Sequence, residues 1–255
     1  WLSGVALVRR VGLCLFIFLF VAAIFFPTSV ISGSELGWKL RMTTISVGNG
    51  SAHVVETPSS CVLFDAGTIS RRGGGSQLVV PALKAIGCEK FNAVIISHPH
   101  LDHFSALPEI ADAFTIDRVF TSESFAAIKS PNSAVGVLIE NLHKHNLRLE
   151  TLVAGNTLDF GGFVWRVLHP KAGYHSRIVN DGSLVFQIAP QQNSYVVFQS
   201  DSNMSWLTLC GDSQTEAIAN VLTSADFTPS MVMELPHHGA WSDGVSELIT
   251  NVDSC

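Results

Sequence analysis

Ala93-Val94-Ile95-Ile96-Ser97-His98-Pro99-His100-Leu101-Asp102-His103 is the stretch on which the reading of this chain turns. Its first half is short, apolar and rich in β-branched residues, the pattern of a buried strand. Its second half places three histidines and one aspartate within six residues, in the turn that follows. Imidazole and carboxylate form a ligand set that suits zinc, and also manganese or iron. His98 and His100, two apart, point to one side of an extended segment and are expected to share one ion. Asp102 and His103, past the bend, are expected to face a second. Two ions so placed clamp the attacking and leaving oxygens of a hydrolysis and lower the pKa of a bridging water. A solvated histidine-rich turn is the plainer reading, and it leaves the spacing of four metal-competent groups after a buried strand unexplained.

Outward from that stretch the chain alternates between β-prone and helix-prone segments. Toward the N terminus, strands are expected at Met42–Val47, His53–Thr57 and Cys61–Phe64, punctuated by Gly48, Gly50, Pro58 and Gly67, and a helix at Gln77–Ile86 despite Pro81. Toward the C terminus, helices are expected at Phe104–Phe114, Val135–His145, Gln214–Leu222 and Gly244–Thr250. Strands are expected near Arg118–Thr121, Leu147–Val153, Phe163–Leu168, Leu184–Ile188, Tyr195–Phe198, Leu207–Leu209 and Met231–Leu235. Strands and helices in both halves imply layered sheets covered by helices, an α/β architecture.

Val11 to Phe26 is uncharged and almost wholly apolar. Extended to Ile31, past Pro27, it reaches the roughly twenty residues that span a bilayer. Arg9 and Arg10 precede it, so the positive-inside rule puts that end in the cytoplasm and everything after residue 32 outside. A signal peptide is the rival reading, but no small-residue cleavage motif follows. Residues 1–31 are therefore expected as a membrane-spanning segment, 32–38 as a linker and 39–255 as one domain. The start at Trp1 and the stop at Cys255 are expected to be cut ends of a longer protein, with the domain's C-terminal part missing.

Charged residues make up only 14% of the 255, and the formal net charge is −6. That balance argues weakly against gripping nucleic acid through bulk electrostatics. The five cysteines, Cys14, Cys61, Cys88, Cys210 and Cys255, show no CxxC pair. An odd, widely spaced set reads as buried apolar residues and not as disulfides or a zinc–thiolate site. The isolated histidines His53, His143, His145, His169 and His175 read as surface or satisfied core residues.

The H-x-H-x-D-H run identifies the chain as resembling the metallo-β-lactamase superfamily, and its surroundings resemble the C-terminal hydrolase domain of ComEC-type competence DNA-uptake proteins. Trp38 to Ala52 is similar to that family's opening strand and its D-V-G-Q-G-D-A turn. Leu63-Phe64-Asp65-Ala66-Gly67 resembles its L-x-D-x-G motif, and Ile95 to Pro108 its I-S-H-P-H-x-D-H-x-x-G-L-P segment. Asn180-Asp181-Gly182-Ser183-Leu184-Val185 looks like N-x-x-S-L-V, Gly211-Asp212 like the later G-D, and Pro236-His237-His238-Gly239 like P-H-H-G.

The resemblance implies an αββα four-layer sandwich holding two divalent ions, Zn²⁺ or Mn²⁺, with His98, His100, Asp102, His103 and Asp212 as ligands. One of His237 and His238 joins them, and sequence does not decide which. Asp102 and Asp212 are the candidate catalytic carboxylates. Asp212 would bridge both ions or cap the Gln214 helix. Asp65 would orient a metal-bound histidine or cap a turn. Asn180, Asp181 and Ser183 are candidates for supporting or substrate contacts, in a segment where other members supply a further histidine; His169 and His175 lie nearby.

Departures from the family pattern fall at Ser46 and Ser51, where it carries acids, and at Asn49, where it carries glutamine. The stretch Ala189 to Trp206 is also longer than the hairpin expected before Gly211-Asp212. The implied activity is cleavage of a DNA phosphodiester, single-stranded during uptake, by metal-activated water outside the cell membrane, with other uptake-machinery proteins as partners. A non-catalytic transport module with a degenerate metal site, or a hydrolase of a lactone, thioester or choline phosphoester, would share the same residues.

Overall fold

The computed structural model describes residues 39–70, 72–191 and 204–252. The first sheet is built from β1 (Arg41–Thr44), β2 (Ala52–Thr57), β3 (Ser60–Ala66), β5 (Ala93–Ile95), β7 (Val119–Ser122) and β8 (Leu149–Leu152), neighbours in that order. Two short strands that fall between these in the chain, β4 (Lys90–Phe91) and β6 (Thr115–Ile116), pair as a parallel ribbon. From β1 to β3 the pairing is antiparallel, and from β3 to β8 it is parallel. The second sheet runs β13 (Ser230–Met233), β12 (Ser205–Leu209), β11 (Val185–Pro190), β10 (Phe163–His169), β9 (Thr157–Phe160), antiparallel except for the β12–β13 pair.

Side-chain alternation explains why the sheets stack. Along β3 and β5 and the residue after it, Leu63, Val94 and Ile96 enter one core, while Val62, Phe64, Ala93 and Ile95 enter another. Strands buried on both faces read as continuous apolar runs, as these do. The second of those cores is the seam between the sheets, where Phe64 and Phe120 meet Trp165, Phe186 and Leu209. The first core lies under helices α1 (Val80–Ile86), α2 (Leu101–Phe104), α3 (Leu107–Ala113), α4 (Glu123–Ala126) and α5 (Ala134–Lys144). On the far face of the second sheet, Leu168 and Val185 pack on α6 (Thr215–Leu222) and α7 (Val245–Ile249). Helix, sheet, sheet and helix make the four layers expected from the sequence.

Local chemistry moves several boundaries. The single helix expected at Phe104–Phe114 is two, α2 and α3. At the break, Ser105 Oγ donates to Thr68 O and accepts from Thr68 N, while Ala106 N donates to Ala66 O. Those bonds tie the helix junction to the end of β3, and Pro108 sits in the first turn of α3, where a missing N–H costs nothing. Pro81 likewise begins α1 after a π turn at Gly75–Val79. Sequence reading misses β9 and the short α4, which Ser122 caps by accepting from Phe125 N.

The reading of all five cysteines as unpaired is corrected: Cys61, on β3, and Cys88, just past α1, form a disulfide. Their separation of 27 residues carries no sequence signature; only the fold brings them together. Among the described residues no helix is long and apolar enough to cross a membrane. The span expected at residues 1–31, the linker at 32–38 and the strand expected at Tyr195–Phe198 lie outside the described residues.

Opening the Cys61–Cys88 bond by reduction, or replacing both residues with alanine, is expected to lower unfolding free energy by about 3–4 kcal/mol, the loop-closure entropy for a loop of this length. Urea unfolding with and without reductant measures it.

Candidate metal centre

Two strand ends start the centre. Asp65, near the end of β3, has a left-handed backbone with φ 55° and no solvent exposure. Its carboxylate accepts from Ser97 N at 2.7 Å and Ser97 Oγ at 2.8 Å, and lies 2.7 Å from His103 Nδ1. Sequence left open whether Asp65 orients a histidine or caps a turn; the structure places it against the histidine. Gly67 lets the chain after β3 press against the next loop, since a Cβ there would come within 2.3 Å of the Asp102 carbonyl carbon.

With Nδ1 committed to Asp65, His103 turns Nε2 inward. That nitrogen lies 3.2 Å from Asp212 Oδ1 and 4.0 Å from Asp102 Oδ2, without the alignment of a hydrogen bond. His98 Nε2 lies 3.8 Å from Asp212 Oδ2 and is also buried without a hydrogen-bond partner. His238 Nε2 completes the cluster at 3.7 Å from Asp102 Oδ2 and 3.6 Å from Asp212 Oδ1. Among the described residues, two groups of three side chains have their ligand atoms within 4.8 Å of one another: His98, His103 and Asp212, and Asp102, His103 and His238. Buried polar atoms are rarely left without a partner. Two such imidazole nitrogens facing carboxylates fit a divalent cation in donor type and arrangement.

The electrostatics agree. Burial works against charge on His103, yet the Asp65 and Asp212 carboxylates outweigh it and raise the imidazole pKa to about 11. Burial and the neighbouring His103 push His98 well below the ordinary histidine value, so it stays neutral. Burial opposes ionisation of Asp212, but His103, His98 and His238 hold its carboxyl below the usual range.

His98 and His100, expected from their spacing to share one ion, have their rings in contact, but the two tight groups do not include His100. His100 has extended backbone just before α2 and is exposed, its ring 4.7 Å from that of His98 and outside both groups. Of the two later histidines, His238 joins the centre, while His237 Nδ1 sits 2.8 Å from Gln214 Nε2. His237, His238 and Gly239 are all left-handed, with φ 52°, 53° and 80°. Such backbone in non-glycine residues costs of order 1–3 kcal/mol each and gathers at functional sites.

The cap considered for Asp212 belongs to Asp181. Its Oδ1 accepts from Gln214 N at 3.0 Å and Ala217 N at 3.1 Å, fastening the start of α6 and leaving Asp212 to the cluster. Asn180 and Ser183 are buried in the same turn, and the Leu184 N–H following it donates to Ser97 O at 3.0 Å. His169 Nε2 lies 2.7 Å from the Asp181 carbonyl, and His175 is exposed; neither joins a metal group. Gly211 takes φ 51° under Ser97, where a Cβ would lie 2.7 Å from the serine Cβ. Glu234, which no sequence pattern singles out, accepts from Cys210 N and Gly211 N at 2.9 and 3.0 Å and so carries the turn that presents Asp212.

Comparison with known proteins gives the family. The family model described as the metallo-beta-lactamase superfamily matches residues 45–179, more than half of the chain. The chain belongs to the metallo-beta-lactamase superfamily. Members of this superfamily are generally metal-dependent hydrolases. The matched residues end before Asp212 and His238, so the assignment of those two to the superfamily centre rests on the geometry above. Among curated proteins, ComE operon protein 3 of Bacillus subtilis (strain 168) is 22% identical over 219 residues, covering 80% of this chain and 26% of that protein. YcaI of Escherichia coli (strain K12) is 25% identical over 218 residues, covering 85% and 24%. The chain thus spans about a quarter of the length of these relatives. Among solved structures, the Rm3 metallo-beta-lactamase is 15% identical with a TM-score of 0.49, covering 82% of this chain and 79% of that one.

Removing the Asp181 carboxylate tests how the Asp212 segment is fastened. Asp181→Ala is expected to cost about 1–2 kcal/mol, the value of a helix cap, read as a lower urea midpoint at unchanged slope.

Proposed function

We propose that this chain carries the metal-dependent hydrolase domain of a ComEC-like DNA-uptake protein and cleaves DNA phosphodiesters. The observation that carries the reading is the convergence of buried, unpartnered His98 Nε2 and His103 Nε2 on Asp212, with Asp102 and His238 beside them. Asp102, His103, His238 and Asp212 would hold one divalent ion, zinc or manganese, and His98, with His100 and Asp212, a second. A bound divalent ion supplies a Lewis acid for a phosphoryl oxygen and lowers the pKa of a coordinated water.

The protein's own groups do the rest. Asp65 fixes the ring of His103 and keeps its Nε2 lone pair pointed at the cluster. Asp102, with its side chain 18% exposed against 5% for Asp212, is the carboxylate that incoming water meets, and it takes the water's proton. His238, at 36% exposure, stands at the open side where substrate arrives.

The motif order from Trp38 to Gly239 and the likeness to ComE operon protein 3 support the DNA-uptake placement. The apolar run at residues 11–31 and the Cys61–Cys88 disulfide support a domain anchored on the outer side of the cell membrane, because disulfides persist in oxidising compartments. DNA is then the substrate, and other uptake-machinery proteins are the neighbours. One observation favours a second reading, a transport-associated module without turnover: both metal groups share the single free nitrogen of His103, and His100 stands outside them.

The purified protein, loaded with Mn²⁺ or Zn²⁺, is expected to cleave single-stranded and plasmid DNA and to lose cleavage to a chelator. His103→Ala, Asp102→Ala and Asp212→Ala are expected to lower metal affinity by more than the roughly 10–100-fold that even an outer partner of a ligand is worth, and to abolish cleavage. Metal bound without cleavage of DNA, lactone, thioester or choline phosphoester favours the second reading. No bound metal and no cleavage of any of these substrates sinks the enzymatic reading.

A further inference from the structure

The two carboxylate-bearing loops of the centre belong to different sheets: Asp102 follows β5 in the first, and Asp212 follows β12 in the second. One chain of buried contacts runs between them. Ser51, just before β2, donates its backbone N–H to the carbonyl of Asp102 at 3.0 Å. Its hydroxyl lies 2.9 Å from His53 Nε2. The same nitrogen is 2.9 Å from Glu234 Oε1, while His53 Nδ1 faces Thr44 Oγ1 at 3.0 Å. The other Glu234 oxygen accepts from Cys210 N and Gly211 N, the two residues directly before Asp212. The side chains of His53 and Glu234 are only 9% and 11% exposed.

A buried ion pair is a poor way to add stability, because desolvation offsets its attraction. What this pair provides is position. It joins β2 of one sheet to the segment after β13 of the other, and each end stops one hydrogen bond short of a candidate ligand's own backbone or its neighbour's. Neither His53 nor Glu234 belongs to a metal group.

We propose that His53 and Glu234 are positioning residues of the metal centre. With Ser51 they form a brace between the sheets that holds the Asp102 and Asp212 loops at the separation where both carboxylates face His103 Nε2. This inference rests on the reading above that the centre binds a divalent ion.

The test compares wild type with Glu234→Gln, His53→Gln, the double variant and Ser51→Ala in the full chain. Three measurements are made: Zn²⁺ titration calorimetry, the visible spectrum of the Co²⁺-loaded protein, and urea unfolding of the metal-free protein. Glu234→Gln and His53→Gln are each expected to lower Zn²⁺ affinity about 10- to 100-fold, the usual loss when an outer partner goes. Both are expected to shift the Co²⁺ spectrum in protein that is folded before metal is added. The double variant is expected to lose little more than the weaker single variant, since residues acting as one unit are not additive. Should Glu234→Gln fail to fold, His53→Gln and Ser51→Ala carry the same comparison. Folded variants with wild-type Zn²⁺ affinity and an unchanged Co²⁺ spectrum overturn the brace, whatever their urea midpoints, and leave the metal reading standing. A folded wild-type chain that takes up neither ion overturns the metal reading, and the brace with it.

Discussion

A carboxylate sealed from water must be neutralised or fully hydrogen-bonded, because an isolated buried charge costs several kcal/mol even after relaxation. Asp65 meets that requirement with three partners from one neighbouring loop: the Ser97 amide, the Ser97 hydroxyl and His103 Nδ1. The consequence is mechanical as much as electrostatic. The end of β3, the end of β5 and the start of α2 are locked to a single side chain, and none of them shifts without stranding a charge. The left-handed backbone at Asp65 is the local concession that aims its carboxylate across the strand ends.

From that lock the centre is assembled by strand ends alone. His98, Asp102 and His103 follow β5, Asp212 follows β12, and His238 follows β13. The rigid parts of both sheets therefore set the spacing of groups that stand just beyond them, Asp102 and His103 on α2 and the others in loops or turns. Without a metal, the carboxylates on either side favour the charged form of His103, while burial favours a neutral His98 whose Nε2 has no hydrogen-bond partner. A cation that satisfies that nitrogen binds the folded chain and not the unfolded one, so its binding energy becomes folding energy.

How much of this was legible in the sequence follows from which forces act locally. The apolar runs of β3 and β5 were readable because parallel strands buried on both faces leave no polar alternation. The H-x-H-x-D-H run was readable because ligand chemistry is confined to few residue types. The closeness of His98 to His103 was not: α2 begins at Leu101 and brings His103 back toward His98, while His100 stays exposed with its ring still against that of His98. Asp181 could not be told from Asp212 as the cap of α6, since it lies 33 residues before Gln214 in the chain and is next to it only in space. Cys61–Cys88 and Glu234 were invisible for the same reason. Both depend on which segments the sandwich brings side by side, which no local pattern records.

The geometry of His103 also limits the number of ions. An imidazole offers two nitrogens, and Asp65 holds one of them, so a single lone pair serves both metal groups. An ion held through Nε2 together with Asp102 and His238 would leave His98, Asp212 and the exposed His100 for a second.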